Sequence, residues 1–253
     1  MKYIYLLVLI AAMSTACTKG LKTFDGTPVV YFQYAVDIKD GNYPELFYDS
    51  SIVTFAYAPA AQKDSVLMLT VKISGDTASV DRQYKLLIND SSTAKAGKHY
   101  DIINSDFTVR AGRVLDTVYF QLHRIPEMTT QSFNIYVELQ ANENFGVDVE
   151  AKRPGSSTTT WVKTTRHRIK VDDILNKPKY WIDGYLGTFS RRKLYLMSDV
   201  LDIPNDKLNN TIAVADVNFY GKFMQRYLNE QRSLGNVIKE DDGSDMIMGP
   251  LVQ

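Results

Sequence analysis

Residues 133–140 read Phe-Asn-Ile-Tyr-Val-Glu-Leu-Gln and give the clearest indication of the fold. Every second side chain is large and apolar, and the side chains between them are mostly polar; the apolar set is Phe133, Ile135, Val137 and Leu139. Successive side chains of a β-strand point to opposite faces of the sheet. The stretch is therefore expected to be a strand with one face in a core and the other in water.

The same period of two recurs on both sides of this stretch. It occurs at Leu67, Leu69, Val71 and Ile73, and again at Val114, Val118, Phe120 and Leu122, where Asp116 interrupts the stripe. Further candidate strands are 29–34, 52–57, 83–88, 102–109 and 163–171, and turn-forming clusters of Gly, Asn, Asp and Ser separate them. About eight short strands without long helices between them predict an immunoglobulin-like antiparallel β-sandwich over residues 28–177, so the chain is expected to be mainly β.

After Pro178 the apolar period changes to that of a helix. Ser190 is expected to cap a helix that carries Leu194, Met197 and Leu201 on one face. A second helix is expected within 211–232, followed by Gly235 as a stop signal. Its predicted core-facing stripe is Ile212, Phe219, Phe223, Tyr227 and Leu228. Residues 178–253 are therefore expected to form a smaller, α/β-mixed, helix-containing C-terminal region.

The amino terminus has the layout of a bacterial lipoprotein signal. Lys2 is followed by an apolar run over residues 3–13, then by small residues, then by Cys17. The run is too short to span a bilayer, which needs roughly 20 apolar residues. We expect residues 1–16 to be a signal peptide, Cys17 to be the site of lipid attachment, and residues 17–27 to be a tether between the lipid and the fold.

The balance of basic and acidic residues limits the kinds of molecule that the protein is expected to bind. The chain has 29 basic and 29 acidic side chains, and loss of residues 1–16 removes one lysine, which leaves 28 against 29. This balance gives no bulk attraction to nucleic acid, so no nucleic-acid partner is expected. Cys17 is the only cysteine, so an internal disulfide is not possible.

No residue pattern predicts a catalytic site, a metal site or a cofactor. None of the three histidines has the spacing of a catalytic or metal motif; His167 is expected to be a structural residue of a strand, and His123 a solvated group at a strand edge. A carboxylate-dependent glycan or peptide hydrolase stays open as an alternative, with Asp172, Asp173 and the 240–245 turn as its acids. That turn is expected to stay in water. Trp161 and Trp181 are expected to complete a core more often than to stack on a sugar.

Several short sequence motifs, taken in order, resemble those of a known family. They are Asp81-Arg82-Gln83-Tyr84, residues 93–100, Pro178-Lys179-Tyr180-Trp181, residues 186–190 and Glu240-Asp241-Asp242-Gly243. The chain resembles a Bacteroidetes-type lipoprotein family known as a domain of unknown function. The resemblance implies a gene neighbourhood with outer-membrane nutrient importers and their starch-utilisation-type lipoprotein partners, without an established activity.

Residues 94–100 and the strands that follow are also similar to the calcium-exchanger β motif, an immunoglobulin-like sandwich. Its pattern Ala-x-x-Gly-x-Asp-Tyr places an aspartate, which can bind calcium, where this chain has His99. Imidazole is a poor ligand for a cation that prefers oxygens. The similarity therefore implies the fold, and no metal is expected at His99.

These observations predict a non-catalytic lipoprotein of the cell envelope, anchored to the outer membrane through a lipid on Cys17. Its expected role is that of an accessory or binding component beside a nutrient (glycan) uptake system, with an outer-membrane transporter and a glycan-binding lipoprotein as partners. A surface adhesin or structural module is a further alternative, since sandwiches are common scaffolds for such proteins. Whether the body faces the periplasm or the cell surface stays open.

The lipid anchor can be tested directly. Cys17→Ala removes the thiol that would be acylated, so the variant is expected in the soluble fraction after expression in a Gram-negative host, whereas the parent chain remains with washed membranes and incorporates labelled palmitate. Ser14→Leu, which restores the large aliphatic residue usual at that position of a lipobox, is the control and should stay membrane-bound. Membrane partitioning of Cys17→Ala would contradict the anchor.

Overall fold

The computed structural model describes residues 26–33, 49–148, 150–152 and 161–253. The predicted signal peptide, Cys17 and most of the tether lie outside the described residues. The described strands are β1 (Val29–Phe32), β2 (Ser50–Thr54), β3 (Asp64–Ser74), β4 (Arg82–Gln83), β5 (Lys85–Ile88), β6 (Tyr100–Ile102), β7 (Thr108–Val109), β8 (Leu115–His123), β9 (Phe133–Gln140), β10 (Glu150–Lys152), β11 (Trp161–Lys163) and β12 (Arg166–Asp172).

Three α-helices follow the strands, in agreement with the change of period after Pro178. They are α1 (Asp183–Leu186), α2 (Arg191–Leu201) and α3 (Val214–Ser233). Short 3-10 turns lie at Pro126–Thr129, Lys207–Asn209 and Pro250–Val252. Within the described ranges, no helix is long and apolar enough to cross a membrane.

Two four-stranded sheets form the sandwich. One has the strand order β1-β3-β8-β6 and the other the order β2-β12-β9-β5. The pairs are antiparallel, as predicted, except that β2 runs parallel to β12. A tight hairpin forces antiparallel pairing, but β2 and β12 are far apart in the sequence and are free to pair in parallel. The chain is mainly β, and the predicted sandwich is confirmed.

The first core lies between these two sheets. Ile135, Val137 and Leu139 of β9 are buried, so the alternation that predicted this strand is confirmed. Asp116, which interrupts the stripe of β8, accepts a hydrogen bond of 2.8 Å from the Tyr84 hydroxyl. This contact explains how a carboxylate is accommodated among apolar positions.

The second core lies among the helices. As predicted, Ser190 caps α2: its hydroxyl accepts a hydrogen bond from the Lys193 amide, and Leu194 and Met197 are buried behind it. Residues 178–253 are mainly helical, and their described β pairing is one isolated bridge between Lys239 and Asp245. The buried members of this core are Trp181, Leu186, Leu194, Met197, Leu208, Val217, Met224, Leu228, Met246 and Met248.

Helix α3 confirms the predicted stripe only in part, because Leu228 is buried and Ile212 and Tyr227 pack against the second core. Val217, Gly221, Met224 and Leu228 face the core, whereas Phe219 is 58% exposed. Gly221 sets this orientation, because a Cβ at that position would lie 2.7 Å from the Tyr185 carbonyl oxygen. The backbone of α1 therefore approaches α3 at Gly221, a contact that hydrophobic periodicity does not reveal.

Asp173, directly after β12, joins the two cores. Its carboxylate accepts hydrogen bonds from the Arg124 guanidinium at 2.9 and 3.1 Å and from Arg191 Nη1 of α2 at 3.0 Å. The Asp173 side chain is only 5% exposed. Tyr195 of α2 accepts from Arg124 and lies within hydrogen-bonding distance of the Ala58 carbonyl oxygen. The sandwich and α2 are thus held together by one buried network of charges and hydrogen bonds.

Asp173→Asn should destabilise the protein strongly. Removing one partner of a buried ion pair leaves uncompensated charge, at a cost of about 3–5 kcal/mol. Urea denaturation measures the loss in the free energy of unfolding. Glu127→Gln breaks the exposed Lys98–Glu127 pair and serves as a control, since such pairs contribute at most about 1 kcal/mol. Equal losses for the two variants would show that the Asp173 network does not hold the cores together.

His123 is not the solvated edge group that the sequence predicted. Its Nδ1 lies 2.7 Å from Asp64 of β3, and its Nε2 lies 3.0 Å from Asp101 of β6. The hydrogen bond with Asp64 raises the pKa of His123, and the one with Asp101 adds to the rise. The histidine therefore bridges three neighbouring strands of the first sheet.

This bridge should stabilise the fold in a pH-dependent way. Because the pKa is raised on folding, the stabilisation is fully present below the unfolded value of about 6.5 and is lost as the pH rises through the folded pKa. His123→Gln should therefore lower the free energy of unfolding more at about pH 5.5 than at about pH 8.5. Gln121→Ala, on the same strand, is the control and should give a pH-independent difference. A His123→Gln effect that does not change with pH would refute the ionic bridge.

Candidate functional site

An open cleft of about 740 Å³ lies beside the second core. One wall is the connection between α1 and α2 together with the first turn of α2, and the other is the chain from Glu240 to Pro250. Two sequence motifs noted above, residues 186–190 and 240–243, thereby come to lie opposite each other. The volume falls in the range of about 300–1,000 Å³ that is usual for ligand pockets.

A buried lysine and a glutamate form the floor of the cleft. Lys193 is 3% exposed, and its ammonium group lies 3.1 Å from Glu240 Oε1 and donates to the Thr188 carbonyl oxygen at 3.0 Å. The Ser190 hydroxyl donates to Glu240 Oε2 at 2.6 Å and accepts from the Lys193 amide. The capping residue of α2 thus also fixes the carboxylate that neutralises Lys193.

Gly187 allows the backbone to pass close to this lysine. Its φ is +75°, a conformation that favours glycine. A Cβ at Gly187 would also lie 3.1 Å from the Ile247 carbonyl oxygen and 3.3 Å from Lys193 Nζ. A larger residue here would press the two walls of the cleft apart.

Four aspartates form the rim, and most of them have a cationic partner. Asp183 accepts from Lys177, Asp245 accepts from Lys239 and Arg232, and Asp241 lies 3.7 Å from Arg192. Asp242 accepts from the amide and hydroxyl of Ser244, and these hydrogen bonds lower its pKa. The hydrogen bond from Lys239 likewise lowers the pKa of Asp245. These two rim carboxyls are therefore held in the ionised form.

An aromatic ring and aliphatic side chains complete the lining. Phe189 meets the buried Trp181 edge to face with ring centroids 5.0 Å apart, and Trp181 Nε1 donates to the Gly187 carbonyl oxygen at 2.8 Å. Ile247 is exposed on the opposite wall. The Phe189 ring is therefore held in place from behind and lies half-buried at the cleft.

The structure separates the acids that the sequence proposed for a hydrolase. Asp173 is engaged by Arg124 and Arg191, Asp172 lies 3.3 Å from Lys170, and neither lines the cleft. The 240–245 turn does line it, and its first residue, Glu240, is largely buried, which differs from the expectation of a turn wholly in water.

The histidines and tryptophans have structural surroundings. His167, predicted to be structural, is buried, lies 2.9 Å from Ser51 Oγ, and has a pKa lowered to about 3 by burial. His99 Nδ1 accepts from the Lys95 amide, and burial lowers its pKa, so the imidazole closes the turn where the calcium-exchanger motif has its aspartate. Trp181 belongs to the second core, and the Trp161 side chain lies outside what the structure describes. Among the described residues, no cluster of His, Cys, Asp or Glu could hold a metal ion.

Sequence reasoning missed Lys193 as a functional residue. It identified Ser190 only as a helix cap and the 240–245 turn only as an acidic loop. The sequence contained one indication. Lys193 directly precedes Leu194 on a face of α2 that is otherwise apolar, which predicts that its charge is buried. Its partner, Glu240, lies 47 residues later in the sequence, and no local pattern around Lys193 indicates that these two residues pair.

Three solved structures show partial similarity to the chain. CBD12 from CALX1.2 is 12% identical, with 57% of this chain and 43% of that chain covered and a TM-score of 0.35. Two proteins of unknown function from Bacteroides ovatus are 14% and 11% identical, with TM-scores of 0.37 and 0.34; 56% of this chain is covered in each case, against 44% and 46% of theirs. The chain thus spans less than half the length of each of these proteins. No curated protein matches it.

A family match covers most of the sequence. Residues 24–203, from just before β1 to just after α2, match the family described as a domain of unknown function, DUF4843. These 180 of the 253 residues include Ser190 and Lys193 but not Glu240. The family that the sequence motifs resemble is thus a domain of unknown function, and this chain belongs to the DUF4843 family.

Proposed function

We propose that this protein is a non-catalytic lipoprotein of the cell envelope that binds a ligand or partner beside an outer-membrane nutrient-uptake system. Lipidation of Cys17 would attach it to the outer membrane, and the tether would carry the sandwich and the cleft away from the bilayer. The proposal supposes an outer-membrane transporter and a second, ligand-binding lipoprotein as partners, as the family resemblance implies.

The pairing of charges within the cleft is the observation that carries the binding role. Lys193 and Glu240 neutralise each other at the floor of the cleft, and the Ser190 hydroxyl donates a hydrogen bond to the same carboxylate. This hydroxyl also accepts from the Lys193 amide, so it is engaged in the helix cap and in holding the carboxylate. The arrangement fits recognition of a ligand better than covalent chemistry.

The carboxylates of the rim also favour a binding role over a catalytic one. Glycoside hydrolysis needs one carboxylic acid whose pKa is raised, so that it can protonate the leaving group. At the rim of the cleft, hydrogen bonds lower the pKa of Asp242 and of Asp245. These acids are suited to accept hydrogen bonds from a ligand and lack the proton that a general acid must supply.

Capture of partners from the native membrane tests the proposal. The full-length protein with a C-terminal tag, expressed in its own bacterium and extracted in mild detergent, should retain an outer-membrane transporter or a ligand-binding lipoprotein, identified by mass spectrometry. Cys17→Ala, which is not lipidated, is the matched control and should lose that enrichment. Repeated recovery of neither partner would count against the proposal.

The hydrolase alternative has its own measurement. The purified mature chain, incubated with oligosaccharides and with oligopeptides, should release no reducing ends and no new amino termini. Turnover that disappears in Glu240→Gln would instead make the cleft an active site and would overturn the non-catalytic role.

A further inference from the structure

We infer that the cleft binds a neutral, polyhydroxylated ligand, a saccharide unit, between Lys193 and the aspartates of the rim, with Phe189 against its apolar face. This inference rests on the proposed function, because it names the chemical class of ligand for the same cleft. It follows from the hydrogen-bonding groups left free, from the balance of charge and from the shape of the lining.

The free hydrogen-bonding groups require a ligand that both donates and accepts. An ammonium group has three N–H donors. Within the described part of the chain, Lys193 has two acceptors, the Thr188 carbonyl oxygen and Glu240, so one donor is left at the floor. At the rim, the Asp241 side chain is 75% exposed and its described contact is Arg192 at 3.7 Å, which leaves its oxygens able to accept. A hydroxyl group can satisfy both, since it is a donor and an acceptor at once.

The charges around the cleft balance, which favours a neutral ligand. The five carboxylates of its lining are Asp183, Glu240, Asp241, Asp242 and Asp245. Four of these carboxylates contact five cationic groups, because Arg232 and Lys239 share Asp245; the other three cations are Lys177, Arg192 and Lys193. Asp242 accepts from Ser244 instead. An anionic ligand would face the five carboxylates of the lining, and a cationic ligand would meet carboxylates of which four are already paired with cations. A hydroxyl needs only the lone pairs and the N–H that are left over.

The apolar part of the lining suits a sugar ring. Phe189 lies at the cleft with Trp181 behind it, so the ring is ordered before any ligand arrives. Aromatic side chains bury the C–H face of a ring without competing for its hydroxyls. An extended peptide that is recognised by strand addition needs the edge of a sheet, and none of the residues that line this cleft belongs to a strand.

Titration of the purified mature chain tests the inference. The probes are neutral oligosaccharides of glucose, mannose, galactose and xylose, matched oligosaccharides that carry uronic acids or amino sugars, and a mixture of tripeptides; calorimetry and NMR detect binding. We expect at least one neutral oligosaccharide to bind, and to shift the resonances of Phe189 and Asp241.

A variant of the rim locates the site. Asp241→Asn keeps the shape of the side chain but removes the charge that strengthens its hydrogen bonds, so it should weaken binding about tenfold, which corresponds to about 1.4 kcal/mol. Asp199→Asn, at an exposed position of α2 that does not line the cleft, should bind as the parent chain does. Both substitutions are on the surface, so loss of fold does not confuse the comparison.

Four other outcomes would overturn the inference. Binding that is equal in parent and Asp241→Asn would place the ligand elsewhere. Preference for the charged sugars would refute the argument from balanced charge, and preference for tripeptides would refute the saccharide. No binding by any probe, with partners still captured from the membrane, would overturn the inference and leave the proposed function standing. Saccharide binding without capture of partners would leave the inference standing and count against the proposed function.

Discussion

The buried charge of Asp173 is the interaction on which the arrangement of the molecule depends. The residue directly follows β12, the last strand of the sandwich. It accepts hydrogen bonds both from Arg124, which directly follows β8, and from Arg191, the first residue of α2. A carboxylate that is nearly out of water must be paired, and two guanidinium groups satisfy it from two directions. Burial of this charge therefore ties α2, and with it the second core, to the sandwich.

The same network places the cleft. Arg191, which binds Asp173, lies between Ser190 and Arg192, and Lys193 follows two residues later on the first turn of α2. One helical turn therefore contacts the sandwich through Asp173 and the C-terminal chain through Glu240. Because α2 is fixed by the first contact, the donors and acceptors of the second are held in a defined geometry before a ligand binds. Such preorganisation lowers the entropic cost of recognition.

The distribution of charge around the cleft supports the proposed binding role. Catalytic acids and bases have environments that move their pKa toward the working pH. At Asp242 and Asp245 the environment acts in the opposite direction, because hydrogen bonds from Ser244 and from Lys239 lower the pKa of these two carboxyls. Ionised carboxyls of this kind accept hydrogen bonds from polar groups, as the proposed role requires.

The sequence by itself determined the two fold classes, most of the strands and the capped start of α2, because each of these depends on a period of two or of 3.6 residues and on local capping chemistry. The stripe of residues 133–139 and the hydroxyl of Ser190 are examples, and motifs spread along the chain were enough to indicate the family. Only the tertiary structure decided which face of α3 is buried, because that depends on the approach of the Tyr185 backbone to Gly221. It also decided that His123 bridges two aspartates and that Lys193 meets Glu240. Those contacts join residues that are far apart in the sequence. Packing of the whole chain brings their side chains together, so no local pattern predicts them.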